Sequence, residues 1–253
     1  MNISIILAHP NPGSFNHAIA QAAAEALRQN RHQVALHDLY QEQFPPLFSA
    51  AELQTNANLD PVIARHCKEI AGANGIIIVH PNWWGMPPAI LKGWIDRVLR
   101  MEIAYRFVAN DKGEGVPVGL LKAKAAIVFN TANTPEDRER EIFGDPLENL
   151  WKKCVFDLCG VRNVHRRTFS VVITSTPRQR AEWLQEAAKT AARYFPPPPA
   201  RVPVELRVVH AGKSATPARP LPRRHGRIAL RGELTPFRDR SGPAPSAFSI
   251  SST

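Results

Sequence analysis

Short apolar runs and amphipathic stretches take turns along residues 1–195. Asn2 to Ala8 holds Ile3, Ile5, Ile6 and Leu7, a run of strand length that is apolar enough to be covered on both faces. The same reading applies to Gln33–Leu39, to Asn74–His80 with its core Gly75-Ile76-Ile77-Ile78-Val79, to Ala123–Asn130 and to Val164–Ile173, which makes five strands. Between them the apolar residues recur at helical spacing. Phe15, Ile19, Ala22 and Ala26 share a face of Phe15–Asn30, and Ile90, Trp94, Val98 and Met101 form a core stripe. Two further stripes are Leu147, Trp151, Cys154, Leu158 and Leu184, Ala188, Ala191, Phe195.

Helix starts are marked by a side-chain acceptor followed by proline, at Asp60-Pro61, Thr134-Pro135, Asp145-Pro146 and Thr176-Pro177. The acceptor caps free amides, and proline suits a first helical position where no amide hydrogen is needed. Asp145 with Glu148 and Thr176 with Gln179 extend this into capping boxes. An alternation of this kind predicts an α/β fold, a doubly wound five-stranded parallel sheet of order 2-1-3-4-5 with helices on both faces. In that order ligands bind beyond the carboxyl ends of the strands, at the switch between strands 1 and 3.

The most unusual residues of the chain follow those two strands. After strand 1, Ala8-His9-Pro10-Asn11-Pro12-Gly13-Ser14-Phe15-Asn16 bends sharply into a helix whose first amides point outward, an arrangement suited to a phosphate. Ser14 caps the helix, and His9 adds a donor at the strand end. After strand 3, His80-Pro81-Asn82-Trp83-Trp84-Gly85 sets two indoles side by side in a short loop. A flat heterocycle fits there, its polar edge on the backbone and an indole at its face, with Gly85 leaving room for a close approach. Two other nucleotide signatures are missing: no G-x-G-x-x-G follows a strand, and Gly212-Lys213-Ser214 has Arg207 where a P-loop needs glycine.

Composition adds a boundary. The formal net charge is +10, yet residues 201–253 hold ten Lys and Arg against three Asp and Glu, so the basicity is concentrated in a tail. Pro196-Pro197-Pro198-Pro199 ends the last helix, and the Pro/Arg-rich segment 196–253 is expected to be disordered. The loops that carry the candidate chemistry thus belong to residues 1–195, a core with no nucleic-acid signature. No apolar run has the length of a membrane span and no leader pattern is present, so a cytoplasmic protein is expected. Cys67, Cys154 and Cys159 read as reduced core thiols, and the nine histidines form no sequence cluster that would suggest a metal.

These residues resemble the flavodoxin-like NAD(P)H:quinone oxidoreductases, a family that includes ancillary flavoproteins of bacterial potassium-efflux systems. The resemblance covers about residues 1–195 and rests on three ordered blocks. They are His9 with Ser14-Phe15-Asn16, then Pro81-Asn82-Trp83-Trp84 with Pro88-Ala89-Ile90-Leu91-Lys92-Gly93-Trp94, and Gly144-Asp145 with Cys159-Gly160-Val161. It implies a homodimeric enzyme with FAD, or alternatively FMN, whose phosphates are held by His9, Ser14, Phe15 and Asn16. Pro81, Asn82, Trp83 and Trp84 would lie against the ring, and Asn130, Thr131, Ala132 and Asn133 would touch its other edge. The implied reaction is ping-pong hydride transfer from NADH or NADPH to a quinone or similar small acceptor, both using one pocket.

The chain departs from the family pattern at that last loop, which is Thr-Thr-Gly-Gly in well-known members, and at Phe143, which stands where they have a histidine. Charge at the reduced ring would then be met by backbone amides near Ala132 and Asn133. The competing classes are a flavodoxin-type electron carrier, which the mildly basic core disfavours, and a regulatory flavoprotein of an ion-efflux system, for which no docking segment is evident.

Overall fold

The computed structural model describes residues 1–54 and 57–199. Most of the expected disordered tail, from residue 200 on, lies outside the described residues.

The strands are β1 (Asn2–Leu7), β2 (Gln33–Asp38), β3 (Gly75–Pro81), an added pair β4 (Tyr105–Ala109) and β5 (Gly115–Gly119), then β6 (Ala125–Thr131) and β7 (Val164–Phe169). The helices are α1 (Phe15–Gln29), α2 (Pro61–Gly72), α3 (Ala89–Val98), α4 (Glu136–Phe143), α5 (Pro146–Asn149) and α6 (Pro177–Tyr194). Five parallel strands form one sheet in the order β2-β1-β3-β6-β7, the anticipated winding once the extra pair is counted. β4 and β5 form a separate antiparallel hairpin that the apolar pattern did not reveal.

Central strands are buried on both faces because helices cover both. Every residue of β3 and β6 is buried, which is why they read as unbroken apolar runs. Along β1, Ile3, Ile5 and Leu7 meet Ile19, Ala20, Ala23 and Leu27 of α1 and Trp183, Ala187 and Ala191 of α6. Ile6 and Ala8 face the other way, toward Ile63, Cys67 and Ile70 of α2 and Leu91, Trp94 and Val98 of α3. Each Ile, Leu or Val side chain among these contributes about 1.5–3 kcal/mol of burial.

Three of the expected helix starts form side-chain caps. Ser14 accepts from the His17 amide, Asp60 from Val62 and Thr176 from Gln179. Two expectations need correction. Pro135 sits at the cap of α4 and Thr134 makes no cap bond, while Asp145 adopts a left-handed conformation (φ 45°) and turns its carboxylate to Arg166 instead of to helix amides. The capping box there is not formed, because a buried guanidinium outcompetes weakly polar amides for the carboxylate.

The stripes also rotate. In α1 the core face is Ile19, Ala20, Ala23 and Leu27, with Ala22 and Ala26 half-buried. After α5 the chain continues as a π-helical stretch, Leu150–Asp157. Its wider turn buries Leu147, Trp151, Val155 and Cys159 and leaves Cys154 exposed, so Cys154 is not a core thiol. Met101 lies beyond α3 and is exposed, and Ser170–Ile173 leave the sheet instead of completing the fifth strand.

Histidines distant in sequence are adjacent in space. His37 and His66 have ring centroids 4.2 Å apart. His37 meets Glu42 through Nδ1 (2.8 Å) and Glu69 through Nε2 (2.6 Å), and His66 Nε2 meets Glu42 (3.0 Å). One ring nitrogen from each of His37 and His66 and one carboxylate oxygen of Glu42 thus come within metal-binding range of one another. The Trp94 indole donates to His66 Nδ1 (3.1 Å), which places the imidazole hydrogen on Nε2 and leaves no lone pair there for an ion. This group is a structural tie between β2, the turn after it and α2.

Candidate functional site

The carboxyl ends of β1, β3, β6 and β7 surround a cleft of about 310 Å³. From the turn after β1 come His9, Ser14, Phe15 and Asn16. From the end of β3 come Pro81, Asn82 and Trp83, and from β6 and beyond come Thr131, Ala132 and Asn133. Thr134, Val172 and Ile173 complete the wall. The sequence pattern marks Thr134 only as a helix start and places Val172 and Ile173 in the fifth strand. Ten residues singled out beforehand therefore share one cleft, and two do not.

Asn130 is fully buried beneath it, its carboxamide paired with His80 and Arg166, and it presents nothing to the cleft. Trp84 is fully exposed and does not line the cleft. The cause is a two-residue turn: Trp83 and Met86 exchange backbone hydrogen bonds (3.1 and 2.9 Å), with Trp84 (φ 56°) and Gly85 (φ 70°) both left-handed. The room expected at Gly85 is filled by Pro146, whose Cγ would lie 2.6 Å from an added Cβ. Trp83 remains at the cleft, tilted against His9 at 6.0 Å between centroids.

Around the start of α1 the polar groups face open space. Asn11 organises the turn, its carbonyl accepting from Ser14 and its side chain from Gly13. The amides of Phe15 and Asn16 have no protein acceptor among the described residues, as helix geometry dictates for a first turn. His9 Nδ1 accepts from the Asn11 amide (3.1 Å), so the neutral ring carries its hydrogen on Nε2 as a donor. Burial holds the His9 pKa below its usual value, with His17 adding to that and the Asp38 charge opposing. Asn16 is 2% exposed, gives its Nδ2 to Thr131 Oγ1 (2.9 Å) and leaves Oδ1 buried without a partner. Asn82 also has an unpartnered buried Oδ1, while its Nδ2 donates to Glu139 (2.9 Å). Buried polar atoms are rarely left this way unless something else completes them.

Underneath runs a network that the sequence reading missed. His80 donates from Nδ1 to the Pro81 carbonyl (2.8 Å), and its Nε2 accepts from Trp151 (2.9 Å) and Asn130 (2.8 Å). Burial pushes the His80 pKa down to about 4, assisted by nearby Arg166 and opposed by the Pro81 carbonyl. Arg166 in turn bonds Asn130 (3.2 Å), Thr168 (2.9 Å), Glu148 (3.0 Å) and Asp145. Nothing in the local sequence couples these residues, since they meet only across β3, β6 and β7. On the far edge the Ala132 amide is given to Phe169 (3.0 Å), so it is not free to meet ligand charge. The exposed Asn133 amide has no protein acceptor among the described residues.

A larger cleft of about 710 Å³ adjoins at Thr134. Among its lining charges Arg166 pairs with Asp145 and Glu148 and Arg167 with Glu136, and Arg167 also reaches Glu186, which does not line the cleft. It offers no flat apolar wall.

Residues 1–195 match the family described as having a flavodoxin-like fold. The chain belongs to this family. Among its relatives is an uncharacterized NAD(P)H oxidoreductase of Haemophilus influenzae, 37% identical over 199 residues that make up 76% of this chain and 96% of the relative. NAD(P)H dehydrogenase [quinone] 1 of Cavia porcellus is 35% identical over 129 residues, 43% of this chain and about half (47%) of that protein. Among solved structures, Smu.1420 of Streptococcus mutans UA159 superposes with a TM-score of 0.66 at 27% identity, over 76% of this chain and 100% of the other.

Proposed function

We propose that this chain is a flavin-dependent NAD(P)H oxidoreductase that passes a hydride from NADH or NADPH to a quinone-like acceptor in ping-pong fashion. The observation that carries the reading is the composition of the cleft. Free helix amides, a histidine donor and two unpartnered carboxamide oxygens converge within reach of an indole wall. The names of the Haemophilus and Cavia relatives support the same reaction class.

The residues present fit a flavin. The amides of Phe15 and Asn16, the Ser14 hydroxyl and His9 Nε2 would hold its phosphate, and the orphaned oxygens of Asn16 and Asn82 suit the hydrogen-bond donors that a flavin carries on its hydroxylated chain and ring. Trp83, Pro81 and Ala132 would border the ring and keep water from it. A bound flavin supplies the hydride-accepting and hydride-donating chemistry. Asn133 is placed to offer its amide to negative charge at the far edge, and the His80 network holds the Pro81 carbonyl in position. We take the cofactor to be FAD, with FMN as the alternative, and the enzyme to be a cytoplasmic homodimer whose second copy closes the cleft. No helix among the described residues is long and apolar enough to cross a membrane.

The test is to purify the full chain, release and identify its chromophore, and follow NADH and NADPH oxidation with a naphthoquinone. Yellow protein and parallel double-reciprocal lines are expected. A colourless protein that binds neither FAD nor FMN and oxidises neither nicotinamide overturns the reading.

A further inference from the structure

Between the start of α1 and the end of β2 lies a chain of three side chains that hydride transfer does not use. Ser14 Oγ is 2.8 Å from His17 Nδ1, and His17 Nε2 is 2.8 Å from Asp38 Oδ2. Asp38 is buried, and its other oxygen accepts from the amides of Tyr40 (3.1 Å) and Gln41 (3.2 Å). The oxygen left for His17 is an acceptor, so Nε2 carries a hydrogen.

The consequence falls on Ser14. With its hydrogen on Nε2, a neutral His17 has only a lone pair at Nδ1, and the bond to Ser14 then consumes the hydroxyl hydrogen. An anion in the cleft can only accept hydrogen bonds. Ser14 can donate to it and keep its bond to His17 only when Nδ1 also carries a hydrogen and gives that to Oγ, which requires the imidazolium form. The helix start is not the only sign of a ligand here, because Asn16, 98% buried in the same cleft, has its unpartnered oxygen.

We propose that His17 is a positioning residue for the phosphoryl group at the start of α1, and that seating this group draws one proton from solvent onto His17 Nδ1, turning the Ser14 hydroxyl toward the ligand. The proposal rests on the reading of the cleft as a flavin site. The other titratable groups facing His17 do not substitute for it. His9, from the turn after β1, lies edge-on at 6.3 Å, but its Nδ1 is occupied by the Asn11 amide and burial disfavours its charged form. Tyr40, beyond β2, has its hydroxyl pKa raised by burial and stays neutral. Asp38, at the end of β2, accepts from His17 Nε2 and has no hydrogen to give to Ser14.

Proton uptake on binding means that affinity falls as pH rises, by up to tenfold per pH unit where one full proton is taken up. The measurement is calorimetric titration of flavin-freed full-length protein with FMN and with riboflavin, in buffers of different ionisation enthalpy. At about pH 8 the phosphate monoester, with its second pKa near 6, is already a dianion and contributes no proton of its own. Net proton uptake is expected for FMN, with none for riboflavin and none for FMN binding to His17→Gln. Equal uptake for both ligands, no uptake for FMN, or uptake that persists in His17→Gln overturns the proposal. The wild-type comparison decides alone should the variant not fold. Flavin binding without proton uptake removes only this assignment, whereas failure to bind FMN, FAD or riboflavin removes the proposed function and the assignment together.

Discussion

Trp83 and Trp84 are neighbours with opposite fates, and the backbone decides between them. Trp84 takes a left-handed conformation in a two-residue turn and points to solvent, whereas Trp83 stays on the strand side and walls the cleft. Trp83→Ala is expected to weaken FMN binding about fivefold, corresponding to roughly 1 kcal/mol of ring contact. Quenching of flavin fluorescence measures this, and an unchanged dissociation constant would place the ring elsewhere. Trp84→Gly should leave that constant alone. His80 makes a second residue-scale prediction. Its pKa is about 4 in the folded chain against about 6.5 unfolded, so the unfolded chain binds more protons between these values. Its contribution is therefore complete above pH ~6.5 and declines by up to about 3 kcal/mol as pH falls to about 4. Urea midpoints across this range should fall more steeply for the wild type than for His80→Gln, whose amide oxygen can still accept from Trp151. Parallel curves would show that His80 is not held neutral.

At the scale of elements, periodicity located helices and strands well and their faces less well. The stripe Leu147, Trp151, Cys154, Leu158 assumed an α-helical turn, but the π-helical stretch widens the turn and moves Cys154 outside. The β4–β5 hairpin escaped notice because four of the five residues of β4 are exposed and β5 is exposed or half-buried, which erases the alternation that marks a strand. Close approaches between elements are equally silent in a linear sequence. Gly93 sits inside α3 against the segment before residue 50, where a Cβ would come within 2.3 Å of the Pro46 carbonyl. Gly93→Ala would gain about 1 kcal/mol in helix propensity, but the overpacking, about 1–3 kcal/mol, is taken up against backbone that has little freedom to yield. A lowered melting temperature is expected. A raised one would mean that the Pro46 segment moves aside easily.

For the whole molecule the order of the strands does the assembling. It brings the turns after β1, β3 and β6 to one end of the sheet, where ten residues chosen from the sequence line a single cleft. The family match ends at residue 195, and among the described residues the cleft uses nothing beyond Ile173. Removing residues 201–253 is therefore expected to leave flavin content and turnover unchanged. Loss of bound flavin in the shortened protein, measured by absorbance after gel filtration, would refute this. The same folding makes pairs of histidines that the sequence scatters, His37 with His66 and His9 with His17.

What the amino-acid order settled by itself is local or periodic. Apolar runs must be buried as strands, Ser14, Asp60 and Thr176 cap helices through atoms a few residues away, and the winding order follows from strand–helix alternation. Packing alone decided which polar groups would meet far from their sequence neighbours. His80 reaches Trp151 and Asn130, Asn130 reaches Arg166, and His17 reaches Asp38 only because parallel strands and the helices packed on them set distant positions side by side. A hydrogen bond depends on a few tenths of an ångström between two such positions, and no pattern along the chain carries that distance.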